Sequence, residues 1–176
     1  MITIFKNLLI TFFISLFILP VISYSQTDNL FNLLGEAENF EINVRIVGKP
    51  EIYNKLGISK VNLKNSMVTH LKNKGMRIEN RSSNMILLTL TILEAKECYT
   101  FDIEINVLET VLSAKSYDPG RAAVYSTGSV GYICNLPNTS ATINNNVNVF
   151  LDDLVNDFNN AKSANAKKAG KPKKPK

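Results

Sequence analysis

The sequence predicts a two-layer α+β sandwich, a mainly antiparallel sheet with two helices on one face in the order β-α-β-β-β-α. Several segments alternate apolar and polar residues with the two-residue period of a strand, and two segments have helical spacing. The chain has 176 residues, of which 45% are hydrophobic and 20% charged. That is the composition of a globular protein. At roughly 150 residues per domain, the length indicates one folded domain with appendages.

The N-terminus predicts an export signal. An apolar run over residues 8–22 is followed by Ser23 and Ser25, which are small residues at the −3 and −1 positions of a cleavage site. The run is shorter than the roughly 20 apolar residues that a spanning helix needs. We therefore expect residues 1–25 to be a signal peptide that is cut before Gln26. A retained anchor helix is the competing interpretation, and the mature protein is expected to be secreted or periplasmic.

The C-terminus predicts a disordered basic tail over residues 162–176. This segment has seven lysines, no acid and no aliphatic side chain larger than alanine. It therefore offers too little apolar surface to offset the entropy of ordering. Removing these lysines and Lys6 from the 20 cations leaves 12 against 15 acids, so residues 26–161 carry a net charge of −3. The basicity belongs to the tail and does not indicate a nucleic-acid-binding fold.

The first elements of the predicted domain, residues 41–161, follow a lead segment over residues 26–40. Residues 41–48 alternate as a half-buried strand does. Residues 60–74 have a helical apolar stripe with Ser59 as N-cap and Gly75 at the left-handed position after the helix. Both ends of this helix are therefore signalled.

An antiparallel meander and a last helix complete the predicted domain. Strands are predicted over residues 85–93, 99–107 and 122–133, with an optional short strand over residues 76–79 that the order β-α-β-β-β-α leaves out. A bulge is expected at Leu108 and Glu109, where the alternation breaks, and a turn at residues 118–120. An apolar stripe over residues 143–161 predicts the last helix.

The two cysteines, Cys98 and Cys134, are predicted to form a disulfide. Export would place them in an oxidising compartment. A hairpin that turns at residues 118–120 brings Cys98 opposite the stretch 134–139, so that a small bulge would align the two thiols. Two free buried thiols are the alternative. A catalytic pair is not indicated because the chain has no C-x-x-C motif.

Catalytic signals are sparse. The chain has no nucleophile-elbow, dinucleotide-binding, P-loop, zinc-protease or EF-hand motif. The single histidine, His70, is predicted to lie at the edge of a helix stripe, and the acids Asp152, Asp153 and Asp157 are predicted to form a solvated helix face. We expect no metal site and no cofactor.

Asp102, Glu104 and Asn106 are the candidate binding residues. They share one face of a predicted strand, and we assign Thr127 and Ser129 to the same polar face. A paired carboxylate could support acid–base hydrolysis, but no apolar wall that would raise one pKa is evident. The predicted function is therefore that of a non-catalytic exported domain that binds a partner or ligand in the cell envelope, with a small hydrolase as the alternative.

The lysine tail suggests a further partner, an anionic polymer, because clustered lysines release counterions on binding one. The residues concerned are Lys167, Lys168, Lys171, Lys173, Lys174 and Lys176.

The chain also resembles a broad class of small secreted bacterial α+β domain proteins. The resemblance covers residues 42–158 and is carried mostly by fold-forming residues. These are Leu56-Gly57-Ile58, Leu71 with Gly75-Met76, Ile86 to Leu90, and Leu151 with Leu154, Val155 and Phe158. The resemblance implies an exported bacterial α+β domain and supplies no catalytic or binding residue.

Overall fold

The structure is a computed structural model that describes residues 33–96, 98–112, 118–134 and 138–169. The predicted signal peptide, its cleavage site and the first part of the lead segment lie outside the described residues. The elements are β1 (Glu41–Val47), α1 (Pro50–Lys55), α2 (Lys60–Asn73), β2 (Asn84–Ala95), β3 (Cys98–Leu112), β4 (Pro119–Ile133) and α3 (Thr139–Ala169). The predicted α+β class is confirmed.

The four strands form one sheet in the order β1-β2-β3-β4. β1 and β2 are parallel, because the helical crossover between them returns the chain to the end of the sheet where β1 began, and the other two pairs are antiparallel. The expected strand over residues 76–79 is reduced to a single bridge between Phe40 and Ile78. β1 is therefore an edge strand.

One face of the sheet carries the core. Alternate residues of β1, β2 and β3, such as Val44, Leu88 and Ile105, lie directly opposite one another on this face and are buried. Buried side chains of α1, α2 and α3 join the same cluster, among them Met67 of α2 and Leu151 of α3. The helices thus form one layer and the sheet forms the other, as predicted.

Helix α1 is absent from the sequence-based prediction. Pro50 marks the end of β1, and the same residue starts a helix, because a proline at the first helical position has no amide that needs a partner. Gly48 makes the change of direction possible. It has a φ of +146°, and an added Cβ would lie 2.7 Å from the carbonyl oxygen of Ile92.

Helix α2 has the predicted ends. Ser59 Oγ accepts a hydrogen bond from the amide of Asn62 at 3.4 Å. At the other end Gly75, with a φ of +84°, donates to Lys72 O, and Met76 donates to Leu71 O. These two bonds form a Schellman motif.

The β3–β4 hairpin differs from the predicted turn. Pro119 and Gly120 are strand residues opposite Leu112 and Val111, so the turn expected at residues 118–120 is wrong. A proline is tolerated there because it is the first residue of an edge strand and its missing amide breaks no ladder bond.

The predicted disulfide is confirmed. The Cα atoms of Cys98 and Cys134 are 4.1 Å apart, directly beyond the pair Tyr99–Ile133. No extra bulge is needed beside the cysteines, because the hairpin register differs from the predicted one. A shift in register does occur between Val107 and Leu108, next to the predicted bulge, and the extra residue is Val124 on β4.

Helix α3 is longer than predicted. It begins at Thr139 and continues to Ala169 rather than ending at Ala161. The expectation of disorder from residue 162 is therefore wrong for residues 162–169. Alanine and lysine are strong helix formers and extend a helix that is already nucleated by its packed stripe, and Lys162 Nζ lies 5.7 Å from the ring centroid of Phe158. Residues 170–176 lie outside the described residues.

Candidate functional site

The acidic pair predicted from the sequence lies on the outer face of the sheet. Asp102 is half-buried between Thr91 and Val130, and Glu104 is exposed between Thr89 and Gly128. Asn106 is half-buried on the same face. The structure therefore brings the three predicted residues together on one surface.

Two further residues assigned to that face do not belong to it. Thr127 lies opposite Ile105 and Ser129 opposite Ile103, and residues directly opposite in an antiparallel pair share a face. Both side chains are therefore on the helix side of the sheet. In the observed register, the odd-numbered residues from Tyr99 to Val107 on β3 lie opposite odd-numbered residues of β4. The predicted turn would instead have paired odd-numbered with even-numbered residues, which would have placed Thr127 and Ser129 on the face of Asp102.

On β4, the outer face carries exposed apolar side chains instead of the predicted Thr127 and Ser129. Val130 and Tyr132 are 70% and 78% exposed. They lie opposite Asp102 and Thr100, and Leu93 flanks Thr100 from the other strand with 60% exposure. The acids thus lie on an open surface among exposed apolar side chains.

A groove of about 520 Å³ lies beside the edge strand β1. Four consecutive β1 residues, Asn43, Val44, Arg45 and Ile46, form one wall, and Leu87 of β2 adds to it. Within β1, the amide of Val44 donates to Asn43 Oδ1 at 2.9 Å. The volume is in the range of ligand pockets, roughly 300–1,000 Å³.

Helix α1 and the start of α2 form the opposite wall. Tyr53 and Asn54 belong to α1, Ile58 to the link that follows it, and Ser59 and Lys60 to the start of α2. This wall is made of short segments whose positions are fixed by their end bonds.

The link between α1 and α2 is held by a Schellman motif around Gly57, which has a φ of +68°. The amide of Ile58 donates to Tyr53 O at 2.8 Å, and that of Gly57 donates to Asn54 O at 3.0 Å. Ser140 Oγ at the start of α3 also donates to Gly57 O at 3.5 Å. The wall is therefore held both by hydrogen bonds within the α1–α2 link and by a hydrogen bond from α3.

The groove is cationic. Arg45 and Lys60 lie on opposite walls, and none of the described residues that line the groove carries a carboxylate. Within the described ranges, neither cation forms an ion pair. Glu104 is the acid in the same cross-strand row as Arg45, but Thr89 separates them. Two strand spacings amount to about 9.6 Å, so the groove retains its positive charge.

A second charged cluster joins α2 to α3. His70 Nε2 and Lys74 Nζ both contact Asp152 Oδ1, at 2.9 and 2.8 Å. The hydrogen bond from Lys74, followed by that from His70, holds the pKa of Asp152 below its usual value. The prediction that His70 lies at a helix edge fits this position. Asp152, however, is an interhelical partner rather than part of a merely solvated face.

Asp157 also has a partner that the sequence did not reveal. Its carboxylate interacts with the Tyr125 hydroxyl on β4. Burial, together with the charges of Asp157 and Asp153, raises the pKa of Tyr125 to about 12. This contact ties α3 to β4 and offers no reactive group at neutral pH.

The described residues contain neither a candidate metal cluster nor a helix suited to cross a membrane. No group of three or more His, Cys, Asp or Glu side chains there could hold a metal ion. Among the helices of the same residues, none is both long and apolar enough to cross a membrane.

Comparisons with known proteins give little further information. No protein-family model matches the chain, and no curated protein matches it. Among solved structures, a minor lipoprotein from Acinetobacter baumannii is similar, with 11% sequence identity over 73% of this chain and 94% of that chain and a TM-score of 0.28. A likeness at that TM-score carries no argument about this protein.

Proposed function

We propose that the protein is an exported, non-catalytic domain that binds an anionic partner or ligand in the cell envelope through the groove beside β1. The observation that carries this proposal is a pair of cations, Arg45 and Lys60, on opposite walls of one concave site, neither of which has an ion-pair partner among the described residues. Positive charge that is fixed in a concavity attracts an anion more strongly than the same charge on a flat surface.

The disulfide Cys98–Cys134 supports the exported location, because such bonds persist in oxidising compartments and are rare in the cytosol. The Asp102 and Glu104 surface is a weaker candidate. It is a strand face with exposed neighbours rather than a pocket, and neither acid lines the groove. A hydrolase that uses these two acids is therefore not the function we favour.

Attachment to an anionic polymer through the tail remains a second proposal. It is supported by the exposed lysines near the end of α3, Lys162, Lys167 and Lys168. Cations in the last turns of a helix also interact favourably with its dipole, so this end of the chain concentrates positive charge.

One experiment separates the two sites. The mature protein is titrated into a fluorescein-labelled octapeptide of glutamate, and the anisotropy is recorded. We expect Arg45→Gln with Lys60→Gln to weaken binding at least about tenfold, or about 1.4 kcal/mol. Lys173→Gln with Lys174→Gln removes the same charge from the tail and should change it less than about twofold.

Circular dichroism checks that both variants are folded. Unchanged binding by the groove variant would contradict the proposed site. An equal loss in the tail variant would show instead that the octapeptide binds to net charge or to the tail.

A further inference from the structure

We infer that the ligand of the groove is an extended acidic peptide that adds to β1 as a further strand. This inference rests on the proposed function and names the ligand class for the same site. Three features carry it: the edge position of β1, the distribution of apolar and polar side chains along it, and the charge of the groove.

The first feature is the edge. β1 is the terminal strand of the sheet, and four of its consecutive residues line the groove. An edge strand presents a row of amide and carbonyl groups without ladder partners. The Val44 amide donates its hydrogen bond to the side chain of Asn43 and not to a neighbouring strand. An extended peptide could replace that local bond with main-chain bonds along the strand.

The second feature is the alternation of apolar and polar side chains along β1. Val44 and Ile46 point to the helix side of the sheet, where Tyr53 and Ile58 supply further apolar surface. Asn43 and Arg45 point to the outer side. Because successive side chains of an added strand point to opposite faces, one set would meet apolar groups and the other would meet Arg45.

The third feature is the charge. Arg45 and Lys60 have no ion-pair partner among the described residues, and no carboxylate lines the groove. Charge complementarity therefore favours an occupant with carboxylates. It disfavours a second copy of this chain bound groove to groove, because that arrangement brings four cations together. The occupant that fits all three features is a peptide that alternates acidic and apolar residues.

The test uses the full mature chain and an octapeptide of alternating Glu and Val, labelled with fluorescein at one end. Two further versions carry N-methyl groups, either on all the Glu amides or on all the Val amides. In an added strand, alternate amides point to β1 and the others point to solvent. We therefore expect one methylated version to bind at least about tenfold more weakly and the other to stay within about threefold of the parent. An octapeptide of alternating Lys and Val is the charge control and should not bind.

The outcomes separate this inference from the proposed function. If both methylated peptides bind like the parent, or both lose binding equally, strand addition is wrong. The proposed function still stands in that case, provided that Arg45→Gln with Lys60→Gln abolishes binding. If that variant binds normally, both proposals fail. Sedimentation of the free protein tests the remaining alternative, a second copy of this chain in the groove. If the free protein is a dimer and the peptide dissociates it, the groove binds a second copy and the inference is wrong.

Discussion

The groove beside β1 and the outer face of β3 and β4 carry opposite charges in opposite settings. The groove holds Arg45 and Lys60 on facing walls without a counter-charge among its lining residues. The outer face holds Asp102 and Glu104 on an open strand surface beside exposed Val130 and Tyr132. Arg45 and Lys60 are themselves exposed, so what distinguishes them from the two acids is that they flank one concave groove, whereas the acids lie on an open strand surface.

The two regions also differ in what stabilises them. The β3–β4 side is closed by the disulfide Cys98–Cys134, and the groove wall is held by hydrogen bonds around Gly57 and by helix packing. Removing the disulfide on the β3–β4 side should therefore lower stability without changing binding, whereas replacing the cations of the groove should weaken binding without lowering stability. The following predictions test that separation.

The largest effect is expected from removal of the disulfide. The bond joins residues 36 positions apart, and the chain-entropy model gives a stabilisation of about 3–4 kcal/mol for such a loop. Cys98→Ala with Cys134→Ala should therefore lower the Tm by about 10 °C, measured by circular dichroism. At a temperature where the variant is fully folded, binding of the glutamate octapeptide should be unchanged. A Tm within about 2 °C of the wild type would contradict the stabilising role of the bond.

A smaller effect is expected on the outer face. Asp102→Asn with Glu104→Gln keeps the size and shape of both side chains and removes two charges from partly or fully exposed positions. Surface changes of this kind usually alter stability by less than about 0.5 kcal/mol, so the Tm should stay within about 2 °C. Affinity for the glutamate octapeptide should rise slightly, by less than about threefold, because two repelling charges are lost. Hydrolysis of a glycan, ester or peptide panel by the wild type, abolished in this variant, would restore the hydrolase alternative.

Another small effect concerns the contact between α2 and α3. Because the pKa of Asp152 is lowered in the folded state, the contact stabilises above the unfolded pKa of about 4 and is lost as the pH falls through the folded value. Asp152 is 43% exposed, so Asp152→Asn should cost no more than about 1 kcal/mol at pH 7. The difference in unfolding free energy between variant and wild type, measured in urea, should shrink as the pH falls below about 4, where Asp152 becomes protonated. A difference that grows towards low pH would contradict a lowered pKa of Asp152 in the folded state.

The sequence predicts elements whose signal is local. Helix α2 is confirmed because Ser59 and Gly75 mark its ends and its stripe is regular, and the outer position of Asp102 and Glu104 follows from alternation within one strand. The side of the sheet on which Thr127 lies could not be obtained in this way. It depends on the hairpin register, and residues 118–120 have the chemistry of a turn although Pro119 starts a strand.

The groove was missed for a related reason. Its walls come from β1 and from the α1–α2 segment, and their juxtaposition depends on Gly48 and Pro50 turning the chain back along the strand. One signal was available: a glycine and a proline directly after a strand, with Gly57 seven residues after Pro50, fit a short helix with a proline start and a glycine end. Which cations would then face one another requires the three-dimensional fold.

The central claim is that the ligand site is the groove beside β1 and not the outer face. Amide chemical shifts of the mature ¹⁵N-labelled protein, recorded during titration with the octapeptide of alternating Glu and Val, test it most directly. We predict that the perturbed amides lie in residues 42–46 and 53–60, with those of residues 100–106 and 126–132 unchanged. Perturbations confined to residues 100–106 and 126–132, or to the lysine-rich end of α3, would contradict the account.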